Sequence, residues 1–282
     1  YSGVNLKSES FGGATKLENV VFKGKVKFNS GRIFGGCSAL SEKSISDIIE
    51  NGNLKREAFL WSHFNCNIVF PENTNINEVL WLFYLYSDNK SDIIIKDNSK
   101  ISGNGLYAVI EVEQAGVVIN NVTIGNNCDL YALFNGSWHY AWKNPTIKNI
   151  KIGNNNKLSS RNFSKVNVEN VEIGKSCEMN GSTFENCTIS ENGKFTIYLT
   201  DEQKNDHTKI SRVWQNGIKN VKEWTETIDN EKAVWTVKEL NSSYKADRCK
   251  ICQLFCGWTY NHTFSILITI LFFSTSAFSF IS

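Results

Sequence analysis

Four stretches in the middle of the chain place apolar and polar residues at the same relative positions and align without gaps: 119–130, 147–158, 168–179 and 184–195. Each reads apolar, any, Asn, apolar, any, apolar, usually Gly, four variable positions, apolar. Residues 17–28 follow the same template, and Ile93 to Ile101 follow it without the asparagine. Asn19, Asn121, Asn149, Asn170 and Asn186 all fall at the third position. The copies are spaced 28, 21 and 16 residues apart, which suits rungs with constant strands and variable loops rather than stacked helix pairs.

The fourth and sixth positions alternate with polar neighbours, the signature of a half-buried strand. The first position breaks that alternation, so the chain must bend between it and the fourth. Asparagine suits a bend because it tolerates left-handed backbone and bonds its own main chain. The glycine that follows is expected to turn the strand a second time. The predicted fold is therefore all-β: a right-handed parallel β-helix, a β-solenoid. Val122/Ile124, Ile150/Ile152, Val171/Ile173 and Cys187/Ile189 would fill its continuous core.

The flanks are patterned differently, which gives four predicted regions. Residues 1–92 read as N-terminal rungs with a helical insertion after Ser41, interrupted at Gly52. The run from Val79 to Ser87 reads as a buried strand, too short for a bilayer. Regular rungs occupy 93–200. Residues 201–250 are more charged, carry Trp214, Trp224 and Trp235, and are expected to form a small α/β cap over the last rung. Residues 251–282 contain no Asp, Glu, Lys or Arg, and their apolar tail 264–281 is long enough to span a membrane as a helix. Three readings fit that tail: a membrane anchor, the removed tail of a lipid-anchored protein, or a foreign tail from a truncated or frame-shifted reading frame.

Composition sharpens the picture only in places. Asparagine makes up 35 of 282 residues, which is why the recurrence at one template position matters more than the abundance. Thirty basic against 28 acidic residues, with no basic cluster, speaks against nucleic acid as a partner. The chain opens with Tyr1 and holds one methionine, Met179, so it is expected to be a processed or partial product, and the start says nothing about export.

Candidate chemistry is sparse. Cys128 and Cys177 share a template position with one rung, that of Asn156, between them, so roughly 9–10 Å should separate the two sulfurs and no disulfide is expected between them. Cys187 should be a plain buried thiol. Cys249, Cys252 and Cys256, with His262 beyond, have metal-like spacing but no second matched pair, so one disulfide near the cap is the favoured reading and no metal or other cofactor is assigned. No nucleophile, phosphate-loop, dinucleotide or zinc-protease motif occurs, and no catalytic residue is named. The longest insertion between repeats gathers Phe134, Trp138, His139, Tyr140 and Trp142, the candidate binding residues, either as a glycan- or protein-binding tip or as a lid folded back on the rod.

The stretch 171–200 resembles the vacuolating cytotoxin and related vacuolating-cytotoxin-like autotransporters. The similarity lies in Ile173-Gly174, Met179, and Ser182, Phe184, Asn186, Thr188 and Ile189, followed by a glycine and an apolar strand. Phe22 to Gly31 and the aromatic insertion before Asn149 look similar too. The resemblance implies a secreted or surface-displayed, outer-membrane-exported passenger, a host-cell receptor or glycan as partner, self-association, and a cysteine-paired cap near Cys249. The chain departs from that family in having neither an apolar Gly-x-x-x-Gly segment nor a translocator barrel, and in its apolar tail, a route for membrane contact through 264–281. The alternatives are a β-helix polysaccharide lyase or hydrolase, for which two outward carboxylates about 5–10 Å apart would speak, and a membrane-anchored structural surface protein.

Overall fold

The structure, a computed structural model, describes residues 5–6 and 10–241 except 29–30, 55–56, 60–63, 80, 86–90, 105–106, 113–116 and 137–143. Cys249, Cys252, Cys256 and the apolar tail 264–281 lie outside the described residues, as do Trp138, His139, Tyr140 and Trp142.

The chain begins with two short strands, β1 (Asn5–Leu6) and β2 (Val26–Phe28), then α1 (Glu42–Asn51) and β3 (Gly52–Asn53); β1, β2 and β3 form a small parallel sheet. Helix α1 forms where the sequence places it. The Ser41 hydroxyl accepts the Ser44 amide as N-cap, and the helix stops at Gly52. Ser44, Ile45, Ile48 and Ile49 face the core.

Five complete rungs follow, each with three strands: β4 (Ile68–Phe70), β5 (Asn75–Val79) and β6 (Phe83–Leu85); β7 (Ile93–Ile95), β8 (Lys100–Gly103) and β9 (Ile110–Val112); β10 (Val118–Ile124), β11 (Asp129–Tyr131) and β12 (Phe134–Gly136); β13 (Thr146–Ile152), β14 (Lys157–Leu158) and β15 (Phe163–Ser164); β16 (Asn167–Ile173), β17 (Glu178–Met179) and β18 (Phe184–Glu185). Strand β19 (Thr188–Tyr198) opens a sixth. Corresponding strands pair in parallel, giving three sheets along the rod: a first face from β4 to β19, a second from β5 to β17 and a third from β6 to β18. The fold is a parallel β-helix.

The template becomes geometry on the first face. Ile119, Asn121, Val122 and Ile124 stand opposite Ile147, Asn149, Ile150 and Ile152, and these opposite Val168, Asn170, Val171 and Ile173. In each, the first, fourth and sixth positions are buried and the third is half-buried. Two consecutive residues between inward side chains point outward, as the broken alternation required.

The asparagines do something other than turn the chain. Asn121, Asn149 and Asn170 lie within strands and are not among the residues with positive φ. Their amides form a ladder: Asn170 Nδ2 donates to Asn149 Oδ1 and Asn149 Nδ2 to Asn121 Oδ1, both at 3.1 Å. Asn121 Nδ2 donates to both Asp92 oxygens at 3.0 Å, so Asp92 fills the place of the missing asparagine. The left-handed corner lies later in each rung, at Asn73, Asn98, Asn127, Asn155 and Ser176, with φ between 56° and 60°.

Two assigned corners shift. Asn186 is left-handed (φ 52°), but it follows Phe184, which pairs with Phe163 on the third face; Ile189, not Phe184, stands opposite Val168. The inward partners of Val171 and Ile173 are consequently Phe195 and Ile197, after a bulge in β19. The chance recurrence of Phe-x-Asn-Cys at the third-face corner mimics the first-face template. Asn19 lies outside the strands; its segment runs along α1, with the Val20 and Phe22 amides donating to Ser44 Oγ and Asp47 Oδ2 at 2.8 and 2.6 Å. The run predicted as one strand from Val79 is also broken: β5 ends at Val79, Trp81 is left-handed (φ 46°) and β6 starts at Phe83.

The template glycines are also explained by packing. A Cβ on Gly153 would stand 2.6 Å from the Gly125 carbonyl oxygen and 2.7 Å from Asn126 Oδ1. Asn126 Oδ1 already accepts the Asn154 amide at 2.7 Å, so rung backbones and side-chain amides leave no room there.

Inside the third face runs a column of rings. Phe11, Phe34, Phe59 and Phe83 stack with centroids 5.3, 5.7 and 4.7 Å apart; Ile110 interrupts; Phe134, Phe163 and Phe184 continue at 5.4 and 5.0 Å. Such pairs contribute about 0.5–1.5 kcal/mol each beyond area burial.

The C-terminal end is sealed as expected. After α2 (Asp201–Asn205), capped by Thr200 and Gln203, the ring of Trp214 stacks 3.9 Å from Phe195, and Trp224 and Trp235 meet Trp214 edge-on. Strands β20 (Val221–Ile228) and β21 (Lys232–Leu240) make a hairpin whose β21 pairs antiparallel with β19. The parallel ladder thus ends on a strand bearing Lys222, Glu223 and Glu226, charges that blunt an edge.

Candidate functional site

Every rung passes from the third face to the first through a connection of changing length. It comprises residues 86–92, 113–117, 137–145, 165–166 and 186–187 in successive rungs. The longest carries the predicted aromatic tip. Its ends are fixed by ladder contacts: Gly136 stands opposite Val112, and the Thr146 amide donates to the Val117 carbonyl at 2.9 Å. The tip residues Trp138, His139, Tyr140 and Trp142 lie outside the described residues.

Phe134 does not belong with them. It is fully buried and stacks on Phe163, because third-face strands point their first residue inward and their second outward. The residue presented outward there is Asn135.

That outward position defines a polar column. Tyr84, Glu111, Asn135, Ser164 and Glu185 stand opposite one another in successive rungs. Asn135 Nδ2 donates to both Glu111 oxygens, at 2.9 and 3.1 Å. Ser164 Oγ donates to Glu185 at 3.4 Å and Arg161 Nε to the same oxygen at 2.7 Å. Glu111 is only 5% and Ser164 4% exposed, unusual for side chains on the outside of a rod. Burial pulls the Lys165 ammonium down to about 8; Arg161 pushes the same way, while Glu111 and Glu185 oppose it. At the other end of the column, Trp81 meets Tyr107 and Tyr84 edge-on at 4.5 and 6.1 Å, and Tyr107 is exposed.

Glu111 and Glu185 are separated by three rungs, roughly 14 Å at ~4.8 Å per rung, too far to work as an acid–base pair on one glycosidic bond. A hollow of about 20 Å³ under the cap, lined by Cys177, Met179, Tyr198 and Gln203, has room for a water molecule. Among the described residues, no three His, Cys, Asp or Glu side chains are grouped to hold a metal ion, and no helix is long and apolar enough to cross a membrane.

The described cysteines, Cys37, Cys66, Cys128, Cys177 and Cys187, are free. Cys128 and Cys177 share a column with Asn156 between them, since Asp129, Lys157 and Glu178 are opposite one another. Asn156 Oδ1 accepts the Cys128 amide at 2.6 Å. Cys187 is fully buried, and burial pushes its thiol up to about 12.

Neither the phenylalanine column nor the polar one was read from the sequence. The signal was a Phe-polar pair recurring at 83–84, 134–135, 163–164 and 184–185, partly hidden by Phe59-Leu60 and by Ile110-Glu111. No protein-family model, curated protein or solved structure matches the chain.

Proposed function

We propose that the chain is a non-catalytic β-helical passenger, secreted or displayed on a bacterial surface, that binds host cells through loops set on a rigid rod. The observation that supports this reading is the third-to-first-face corner. There the strands keep register while the connection grows from two residues (165–166) to nine (137–145). A frame that is constant while one corner varies separates stability from recognition. Four aromatic or imidazole side chains in the longest connection suit stacking on sugar rings or anchoring in a protein pocket. The similarity to vacuolating-cytotoxin-like passengers agrees with this role and supplies its setting.

The test is binding of fluorescently labelled protein to cultured epithelial cells and to immobilised glycans, with the wild type and the double substitution Trp138→Ala/Trp142→Ala. Saturable binding that falls at least tenfold in the variant, with unchanged circular dichroism, is the expected result. Absence of saturable binding on every surface, or equal binding by the variant, refutes the proposal.

A further inference from the structure

The chain contains six Asn–Gly pairs, beginning at Asn51, Asn104, Asn135, Asn180, Asn192 and Asn216. Each carries a latent reaction of its own, because a glycine nitrogen with no Cβ beside it can attack the preceding carboxamide. The fold decides whether that nitrogen is free and the carboxamide turned towards it. At four pairs it is not so. The Gly52 amide is engaged by the Ile48 carbonyl. Gly136 packs against the Lys165 carbonyl, and the Asn135 carboxamide is tied to both oxygens of Glu111. Gly193 is buried against Ile189, and Gly217 against the Phe184 carbonyl. Gly105 lies outside the described residues.

Asn180–Gly181 is arranged differently. It forms the exposed turn between β17 and β18, in the last complete rung before the cap. The Ser182 amide donates to Asn180 Oδ1 at 2.9 Å, which folds the side chain back over the main chain as an Asx turn. The ring closed by that bond contains both Asn180 Cγ and the Gly181 nitrogen. Asn180 Nδ2 donates to Ser160 Oγ at 3.2 Å, and the Thr183 amide to the Asn180 carbonyl at 3.1 Å, so carboxamide and turn are both held. Among the described residues the Gly181 amide donates no hydrogen bond. Space beside it is open, since a Cβ there meets nothing nearer than 3.9 Å.

We propose that Asn180 is a self-modification site, converted through a succinimide ring to aspartate and isoaspartate. Solvent hydroxide takes the Gly181 amide proton, and the nitrogen attacks Asn180 Cγ. Oδ1 takes up the negative charge of the tetrahedral adduct, and it already faces the Ser182 N–H, a donor placed where charge develops. The Cγ–Nδ2 bond breaks; Nδ2 takes a proton from water and leaves as ammonia, which returns the hydroxide. Water then opens the ring at either carbonyl. One water enters and one ammonia leaves, with no oxidation or reduction.

The product alters the rod where it meets its cap. Isoaspartate routes the main chain through Cβ, adding one backbone atom between Met179, which pairs with Leu158, and Phe184, which pairs with Phe163. The turn must distort or one of those pairings must shift. Phe184 meets Phe195, on which Trp214 stacks, so the disturbance reaches the floor of the cap.

The experiment is a time course on the purified full chain in mildly alkaline buffer, read by peptide mapping with fragment spectra and by isoaspartyl methyltransferase labelling. The expected result is a gain of about 1 Da at Asn180, part of it labelled as isoaspartate, ahead of Asn51, Asn135, Asn192 and Asn216. Conversion should run about tenfold faster than in a synthetic peptide of residues 176–186, which lacks the held geometry. Gly181→Ala should slow it about tenfold while keeping the circular dichroism of the wild type, because its Cβ has room in the fold but crowds the attacking nitrogen. Conversion no faster than in the peptide, a mass gain without isoaspartate, or an unchanged rate in Gly181→Ala overturns the proposal.

Discussion

Replacing Gly153 by alanine asks directly why the repeat needs glycine. If glycine served a left-handed corner, asparagine would be tolerated and alanine would cost about 1 kcal/mol. The packing says otherwise, since a Cβ would stand 2.6 Å from the Gly125 carbonyl oxygen, 2.8 Å from its carbonyl carbon and 2.7 Å from Asn126 Oδ1. Two of those three atoms are backbone of the preceding rung, which is itself held in the ladder: the Gly153 amide donates to Ile124 and the Asn154 amide to Asn126 Oδ1. Relief requires moving rungs apart or giving up the Asn126 bond. Overpacking of this kind costs about 1–3 kcal/mol, and a lost hydrogen bond about 1 more, so we expect Gly153→Ala to destabilise by about 2–4 kcal/mol. Gly153→Asn should be at least as costly. Gly181, where a Cβ meets nothing nearer than 3.9 Å, is the matched control, and Gly181→Ala should stay within about 0.5 kcal/mol. Urea unfolding followed by tryptophan fluorescence gives the comparison through the shift in midpoint. A Gly153→Ala midpoint indistinguishable from that of Gly181→Ala, or a well-tolerated Gly153→Asn, would refute the reasoning.

Other substitutions probe the remaining devices. Asn155, left-handed at φ 56°, should accept glycine with little loss but lose about 1–2 kcal/mol on change to alanine; thermal melts of the two variants should separate. Asn149→Ala removes the middle of the amide ladder, leaving Asn121 Oδ1 and Asn170 Nδ2 without their partners on that side, and should cost about 1–2 kcal/mol in urea titration. Trp214→Ala strips the fully buried ring stacked on Phe195 and should cost about 3–5 kcal/mol, with the cap hairpin losing hydrogen-exchange protection first. Cys187 binds its proton more tightly folded than unfolded, so its contribution is intact below about 9, where the unfolded thiol ionises, and is lost as pH rises towards about 12. Stability measured against pH should therefore fall less steeply over that range in Cys187→Ala than in the wild type, and thiol reagents at pH 8 should label half-buried Cys66 and Cys177 well before Cys187.

Much of the rod was legible because first-face positions repeat a chemical pattern. Ile119, Val122 and Ile124 must point inward together, and the only way to bury the same triplet in 147–152 and 168–173 is to stack the strands in register. Helix α1 was equally legible from a local rule, a serine cap at one end and a glycine at the other. The fourth copy misled because the first-face and third-face corners both read apolar-x-Asn-apolar; the sequence alone does not say which face a motif of that kind belongs to. Phe134 misled for the opposite reason, since next to an aromatic loop a core ring looks like part of the loop. The second and third faces carry only two to five residues per strand, too few for their alternation to stand out.

Sequence alone determined that the chain coils, roughly where each coil begins, and which residues close its far end, because burial periodicity and caps are local properties of the backbone. Only the tertiary structure decided what the repeated residues are for. Asparagine amides bond along the rod, glycines admit a neighbouring carbonyl, and Asn135 meets Glu111, because each contact joins residues about 20–30 positions apart that only the rung spacing of ~4.8 Å brings together.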